Sequence, residues 1–462
     1  QFALRSAATG EEAVATADLP TIRQYRYGKW IVSSPETAGG FSAVGFFFAR
    51  ELHENLDVPV GIINTAIGGT PAAAWTPREA LANNEFLRKH VLGPWDAYVK
   101  RYDAILEKYE ALKQVGSKRM PAKPLPPDDR NRPGNLFKEV VEPIVPHAVR
   151  GVMWYQGESD AWGFPIADVH YRVLPALIRG WRSAWEQPTL YWITIQLPDA
   201  PGRDLPRPLP PSPWKLVQET HLRTLELPST GVVVTVDLGE NDIHPKRKRP
   251  VGHRAALVAR TLAYGEKDLM SSGPMFERME IENGKVRLHF SYAEGLHLKA
   301  GERTGFAIAG PDRYFVHANA RVEDDTVVVW SEDVPEPAAA RYAWAEASAA
   351  PLYNAAGLPA SPLRTDEWAW DIPAKSARKA KAVKAATAPK IDGKLDDAAW
   401  DQAPPVGELT LRHTYRAASR QTSARFTWDA DVLYVAIRCW EPGGKVIASA
   451  KDRDDAGVLD DD

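Results

Sequence analysis

The chain has 462 residues, with 57 Lys and Arg set against 60 Asp and Glu, for a formal net charge of −3. That balance argues against nucleic acid as a partner, and no run of about 18 apolar residues is present to cross a membrane. Cys439 stands alone, which excludes an intramolecular disulfide and a cysteine metal site.

In chain order, FSAVGFFFARELHENL (41–56) has the spacing of an amphipathic helix, and VPVGIINTAI (58–67) comes next as a strand. Trp95, Tyr98, Tyr102, Ile105, Tyr109 and Leu112 recur at intervals of three and four, which predicts one amphipathic helix over 95–112. AVRGVMWYQ (148–156), TLYWITIQL (189–197) and GVVVTVDLG (231–239) are near-continuous apolar runs. Such runs mark strands buried on both faces, so residues 1–267 read as an α/β domain with a parallel sheet. From 268 to 373 the pattern becomes β-rich and sandwich-like. MFERMEIENGKVRLHFSY alternates on both sides of an Asn-Gly turn, which predicts a hairpin. An Ala/Lys-rich linker covers 374–390, and 391–462 read as a further β domain in which LYVAIRC (433–439) is a half-buried strand. Sixteen Trp are more than a core of this size needs; their rings either pack cores or stack on sugars.

Three polar motifs fall at the carboxyl ends of strands, where open α/β sheets bind ligands. These are the turn at Gly68 and Gly69, the QGESD run from Gln156 to Asp160, and ENDIHP with His244. A glycine turn, a side-chain amide and an imidazole are parts of an acyl-transfer site, with donors for an oxyanion and a general base. Each alone has a plainer reading as a turn, a helix cap or a surface histidine. Their coincidence carries the argument. The basic run PKRKRP (245–250) reads as solvated surface. The 11 His residues show no metal-ligand spacing, His170 and His221 read as structural, and GGTPAAAW lacks the Lys of a phosphate loop.

GFSAVGFFFARELHENLDVPVGIINTAIGGTPAAAW, GVMWYQGESD and DLGENDIHPKRKRPVGHRAAL closely resemble the sialate O-acetylesterase family of SGNH hydrolases. The resemblance continues through GLHLKAGERTGFAIAGPDRYFVHANARV, RYAW and LYNAAGLPASPLRTDEW, and so covers residues 1 to about 370. It implies a flavodoxin-like three-layer fold around a parallel sheet, and a cofactor-free serine esterase that removes acetyl groups from sugar hydroxyls. By the resemblance His244 is the general base, Gly69 gives an oxyanion N–H, and Gln156 gives the side-chain amide. Gly68 and Glu158 support these groups or contact the sugar.

Two positions depart from the family pattern. Asn241 stands three residues before His244, where many SGNH enzymes have Asp. Either Asp242 orients the imidazole, or a backbone carbonyl does so in a dyad. The Gly-Gln-Ser-Asn-Met motif that carries the family nucleophile is not in the chain, yet QFALRS and ADLPTIR resemble the family's sequence just after that motif. The expectation is therefore a nucleophilic serine three residues before Gln1, a sheet lacking its first strand, and an inactive chain as it stands. Ser33, Ser34 and Ser159 are not read as substitutes, and no Gly-x-Ser-x-Gly elbow occurs.

IDGKLDDAAW and LYVAIRCWEP resemble the start of a family 9 carbohydrate-binding module, here incomplete. It is either a polysaccharide binder, with Trp400, Trp428 and Trp440 as stacking candidates, or a plain β-sandwich appendage. The expected function is carbohydrate O-acetylesterase, secreted or periplasmic by family resemblance although no signal peptide is read. The rivals are an esterase of acetylxylan or another plant polysaccharide, and a non-catalytic carbohydrate-binding protein.

Overall fold

The computed structural model describes residues 2–26, 28–116, 120–199, 212–240, 242–301, 303–311, 313, 315–344, 349–368, 381–392, 394–406 and 422–439. Gln1–Glu367 form one compact unit and Trp368–Asp462 a second.

The first unit opens with strands Leu19–Arg26 (β1) and Lys29–Ser33 (β2). Sequence reading missed both, because LPTIRQYR buries only Ile22 and Gln24 and shows no apolar run. The four expected strands are present as Val60–Ile63 (β3), Gly151–Trp154 (β4), Tyr191–Ile195 (β5) and Thr230–Val233 (β6). Strands β4, β5 and β6 form a parallel sheet in that order. The helices Ala43–Leu56 (α1) and Arg249–Tyr264 (α3) cover one face, packing Leu52, Val251, Ala255 and Val258 on Ile193, Ile195 and Val233. The helix Phe164–Ala184 (α2) covers the other, with Leu174, Leu177 and Trp181 against Trp154 and Trp192. This is the three-layer α/β arrangement.

The sheet is not continuous. A flavodoxin-like order places the second and third strands on either side of the first. Here the strands that match those positions, β1 and β3, pair directly in parallel from Ile22↔Val60 to Tyr25↔Ile63. Strand β2 adds antiparallel to β1, and among the described residues no ladder joins β3 to β4. The sheet is therefore two three-stranded pieces. At the break Gly151 is exposed and Val152 and Met153 are half-buried, whereas in the central strand β5 Trp192 to Ile195 are all buried. Unpaired backbone groups of an edge strand turn to solvent. A cavity of about 410 Å³ lies near the break, between Tyr25, Trp30 and Ile63 on one side and Pro143–His147 on the other.

The helix expected over 95–112 is two helices, Gly93–Val99 and Tyr102–Gln114, and neither has a fully buried residue. Its aromatic stripe packs on itself instead, with Trp95–Tyr98 and Tyr98–Tyr102 ring centroids 5.3 and 6.3 Å apart.

The hairpin forms as expected from Met275–Glu282 (β7) and Lys285–Ser291 (β8). Asn283 and Gly284 both have positive φ, 50° and 74°, as a type I′ turn requires. These strands continue into Thr326–Trp330 and Asn319–Glu323. A second four-stranded sheet is built from Phe315–His317, Phe306–Ala309, Ala339–Tyr342 and Leu363–Arg364. Leu288 and Val329 of the first sheet share a core with Phe306, Ile308 and Tyr342 of the second, a sandwich. Val234 and Val236 enter the same core, and Arg364 pairs with Glu219 at 2.9 Å, so the sandwich and the α/β part fold as one unit.

In the second unit Val383–Lys384, inside the stretch read as linker, pairs parallel with Thr422–Trp428, which pairs antiparallel with Leu433–Cys439. The apolar alternation in the last strand is real but not buried. Leu433, Val435 and Ile437 are exposed, and Ala436 on the opposite face is buried. Trp400 is buried on the short helix Ala398–Asp401 and serves as core, while Trp428 is 41% exposed. Trp440 and the acidic end of the chain lie outside the described residues.

Candidate active site

The loop after β3 runs through Gly68 and Gly69, both exposed. Gly69 has φ +68°, a left-handed conformation that glycine adopts without strain. Among the described residues neither glycine N–H has a hydrogen-bond acceptor. The next residue, Thr70, is buried: its hydroxyl donates to the Ile67 carbonyl at 2.8 Å and accepts from Trp75 Nε1 at 2.9 Å. The turn is thus held from below and open above.

The QGESD run comes directly after β4. Gln156 Nε2 lies 3.1 Å from the Thr70 carbonyl and 2.6 Å from Asp160 Oδ2, so both its N–H groups are engaged. To serve an oxyanion the amide must exchange one of these acceptors. Asp160 is the residue that sequence reading missed. Its carboxylate is buried, accepts the Ala72 N–H at 2.9 Å, and lies 3.4 Å from His170 Nδ1. Burial alone would raise its pKa. The His170 charge and hydrogen bond, the Ala72 N–H and the Gln156 amide outweigh that and hold it below the usual carboxylate range. One side chain therefore ties the glycine turn to the end of β4.

Gly157 has no room for a side chain. A Cβ there would lie 2.7 Å from Val217 Cγ1 and 3.1 Å from His221 Cε1. His170 and His221 are fully buried, with rings 5.8 Å apart, as the structural reading expected. Burial, reinforced by the His170 charge and partly opposed by the Gln156 carbonyl, pushes the His221 imidazole well below its ordinary pKa. His221 thus stays neutral in the fold, while in the unfolded chain it takes a proton below about pH 6.5. Stability should therefore fall as pH drops from about 6.5, by up to about 1.4 kcal/mol per unit. Urea midpoints at several pH values should show this slope, and His221→Gln should flatten it.

Glu158 accepts the Gly157 N–H at 3.1 Å, and Ser159 sits in the same short turn. Ser33 Oγ donates to the Ala17 carbonyl and Ser34 Oγ to Glu36, so both are occupied locally.

His244 lies on the loop after β6, with its side chain 65% exposed. Asp242 Oδ1 accepts the His244 backbone N–H at 2.8 Å and lies 3.5 Å from its Nδ1. Asn241 is outside the described residues. Glu240 shapes the loop by accepting the Lys246 and Arg247 N–H groups, the first of which is the main reason its pKa is lowered.

The basic run is not wholly solvated. Lys248 is buried, its ammonium 5.1 Å from both the Phe2 and the Tyr155 ring centroids. Burial lowers its pKa against the opposing pull of Glu158, Glu240 and Asp242. Lys248 therefore connects the His244 loop, the QGESD strand and the first residues of the chain, and the Ala8 N–H also donates to the Lys246 carbonyl at 3.0 Å. The structure brings Gln156 onto the glycine turn and Asp242 beside His244. Between His244 and Gln156 or Gly69 no hydrogen bond is made, and the link runs through Lys248. Among the described residues no group of His, Cys, Asp or Glu could hold a metal ion, and no helix is long and apolar enough to cross a membrane.

This α/β scaffold, with donors and an imidazole at its strand ends, defines an SGNH-type hydrolase fold. The family profile described as carbohydrate esterase, sialic acid-specific acetylesterase, matches residues 130–257. A carbohydrate acetylesterase from Xanthomonas citri is 34% identical in its crystal structure, with a TM-score of 0.65 over 79% of this chain and 78% of that one. The sialate O-acetylesterases of Pongo abelii and Homo sapiens are 26% and 27% identical, over 70% and 58% of this chain. The chain belongs to this family of carbohydrate esterases. It spans 60% and 48% of the length of those two curated relatives.

Proposed function

We propose that the protein is a carbohydrate O-acetylesterase, and that this chain carries the general base and the oxyanion donors of a serine acyl-enzyme mechanism. The observation that carries the reading is the convergence of three strand ends: Gln156 on the Thr70 carbonyl, Asp160 on the Ala72 N–H, and Lys248 between Tyr155 and Phe2.

In the proposed reaction the serine three residues before Gln1 attacks the acetyl carbonyl while His244 takes its proton. Phe2 packs beside Lys248, four residues from His244. Four residues of extended chain reach at most about 14 Å, so a serine at that position can meet the imidazole. The Gly69 N–H and the Gln156 amide receive the oxyanion, with Gly68 shaping the turn, and Asp242 holds the imidazole through Nδ1. His244 then protonates the departing sugar hydroxyl. Water, deprotonated by the same imidazole, releases acetate. No cofactor is required.

The substrate is an acetylated sugar, and we place the intact protein outside the cytoplasm, secreted or periplasmic. The 391–462 region is proposed as a polysaccharide-binding module, with Trp428 as the exposed ring. The test is acetate release by the chain prepared with its upstream residues, on O-acetylated sialic acid and on acetylated xylan. Release from either supports the esterase and selects the sugar. A folded protein that binds these sugars without hydrolysis leaves a carbohydrate-binding protein instead.

A further inference from the structure

Five of the 16 tryptophans share one core cluster. Trp75, Trp154, Trp181, Trp185 and Trp192 pack together in one core cluster, each less than 10% exposed. Trp162 is 81% exposed, more than any other large hydrophobic side chain described in Gln1–Glu367. Trp162 forgoes the stabilisation that burying a large apolar side chain brings.

Its backbone is fixed on both sides. The Asp160 N–H donates to the Gly157 carbonyl at 2.9 Å and the Ala161 N–H to the Glu158 carbonyl at 3.2 Å. Just beyond, the Ile166 and Ala167 N–H groups both donate to the Gly163 carbonyl at 3.0 Å, opening α2. Trp162 therefore projects from a short link between two bonded turns. It lies two residues, at most about 7 Å of backbone, from the carboxylate that holds Gln156 and Ala72. Four residues back, Glu158 spends one carboxylate oxygen on the Gly157 N–H, and the other has no partner among the described residues.

We propose that Trp162 is the platform on which the pyranose ring of the acetylated substrate stacks, with Glu158 accepting a sugar hydroxyl. The negative face of an indole attracts the C–H groups on the flat face of a pyranose, and a carboxylate oxygen fixes its rotation. The inference rests on the esterase reading of the adjoining site and assigns the sugar subsite to Trp162 and the free oxygen of Glu158.

The chain bearing its upstream residues, with the upstream serine replaced by alanine, suits the test, because in the proposed mechanism it binds without turnover. Fluorine-labelled tryptophan spectra of the chain, titrated with an acetylated methyl xyloside and with an O-acetylated sialoside, should show one resonance moving furthest. That resonance should be the one deleted in Trp162→Ala. Trp162→Ala should weaken binding about tenfold, and Trp162→Phe less; the ring is exposed, so neither should unfold the protein. Equal affinity of Trp162→Ala, a silent Trp162 resonance, or no binding of either sugar overturns the platform. Hydrolysis of a simple aryl acetate by the chain with its upstream residues is read separately. Hydrolysis with no Trp162 response sinks the platform alone, and a Trp162 response with no hydrolysis sinks the esterase alone.

Discussion

His244→Ala, made in a chain that carries the serine upstream of Gln1, is expected to lower kcat for acetate release by about 10³-fold while KM moves little. A positioned general base contributes about 10²–10⁴-fold, and with tenfold per 1.36 kcal/mol this is a loss of about 4 kcal/mol from the barrier. The structure explains why the effect should fall on kcat. The imidazole is exposed on its loop, and its side-chain contact is Asp242, 3.5 Å from Nδ1. Nothing in the core depends on it. Asp242→Asn separates the two ways of holding the imidazole. If the carboxylate orients it, kcat falls about tenfold or more; if a backbone carbonyl does so, kcat stays within about threefold. Steady-state rates on one acetylated sugar read both variants, and a His244→Ala enzyme within tenfold of the parent would remove the histidine from the mechanism.

Asp160→Ala should act on stability. The buried carboxylate satisfies the Ala72 N–H and the Gln156 amide and faces His170. Removing one partner of a buried polar cluster leaves the others desolvated and unpaired, at a cost of about 3–5 kcal/mol. Five tryptophans lie in the core cluster that also contains Ala72, so their fluorescence during urea unfolding reports this unit. The sign of the pH effect comes from the lowered Asp160 pKa. Its stabilisation is complete above the ordinary carboxylate value of about 4 and is lost as pH falls through the lower folded value. Between pH 5 and 8 Asp160 adds no slope, and the part of the slope lost in His221→Gln belongs to His221. A change below about 1 kcal/mol in Asp160→Ala would mean the cluster does not hold the turn.

Much of the fold was legible because its signals are local. The Val and Ile runs of β5 and β6 are buried on both faces, and Asn283-Gly284 has the backbone a two-residue hairpin needs. Strand β1 was not legible, since Ile22 and Gln24 are its only buried positions and one of them is polar. The stripe from Trp95 to Leu112 misled for the opposite reason, as aromatic rings at helical spacing can pack on each other. Leu433, Val435 and Ile437 show that alternation sets a strand's faces without saying which one is covered.

In the proposed site, the glycine turn, amide and imidazole were legible as candidates by type and place. Asp160 has no assigned role in the sequence reading, because its partner Ala72 lies 88 residues away and no local pattern encodes that contact. Lys248 was lost inside a basic run, although Phe2 and Tyr155 enclose it. The tryptophan count needed the structure to separate a core cluster from exposed rings, of which Trp162 is the most exposed described.

In the proposed mechanism these strand ends serve a serine upstream of Gln1. The most direct test treats the chain bearing its upstream residues with a fluorophosphonate and maps the adduct by peptide mass spectrometry. The account predicts one adduct, on the serine three residues before Gln1, lost when that serine is replaced by alanine and slowed in His244→Ala. A folded protein with no adduct, or with its adduct on Ser33, Ser34 or Ser159, would contradict it.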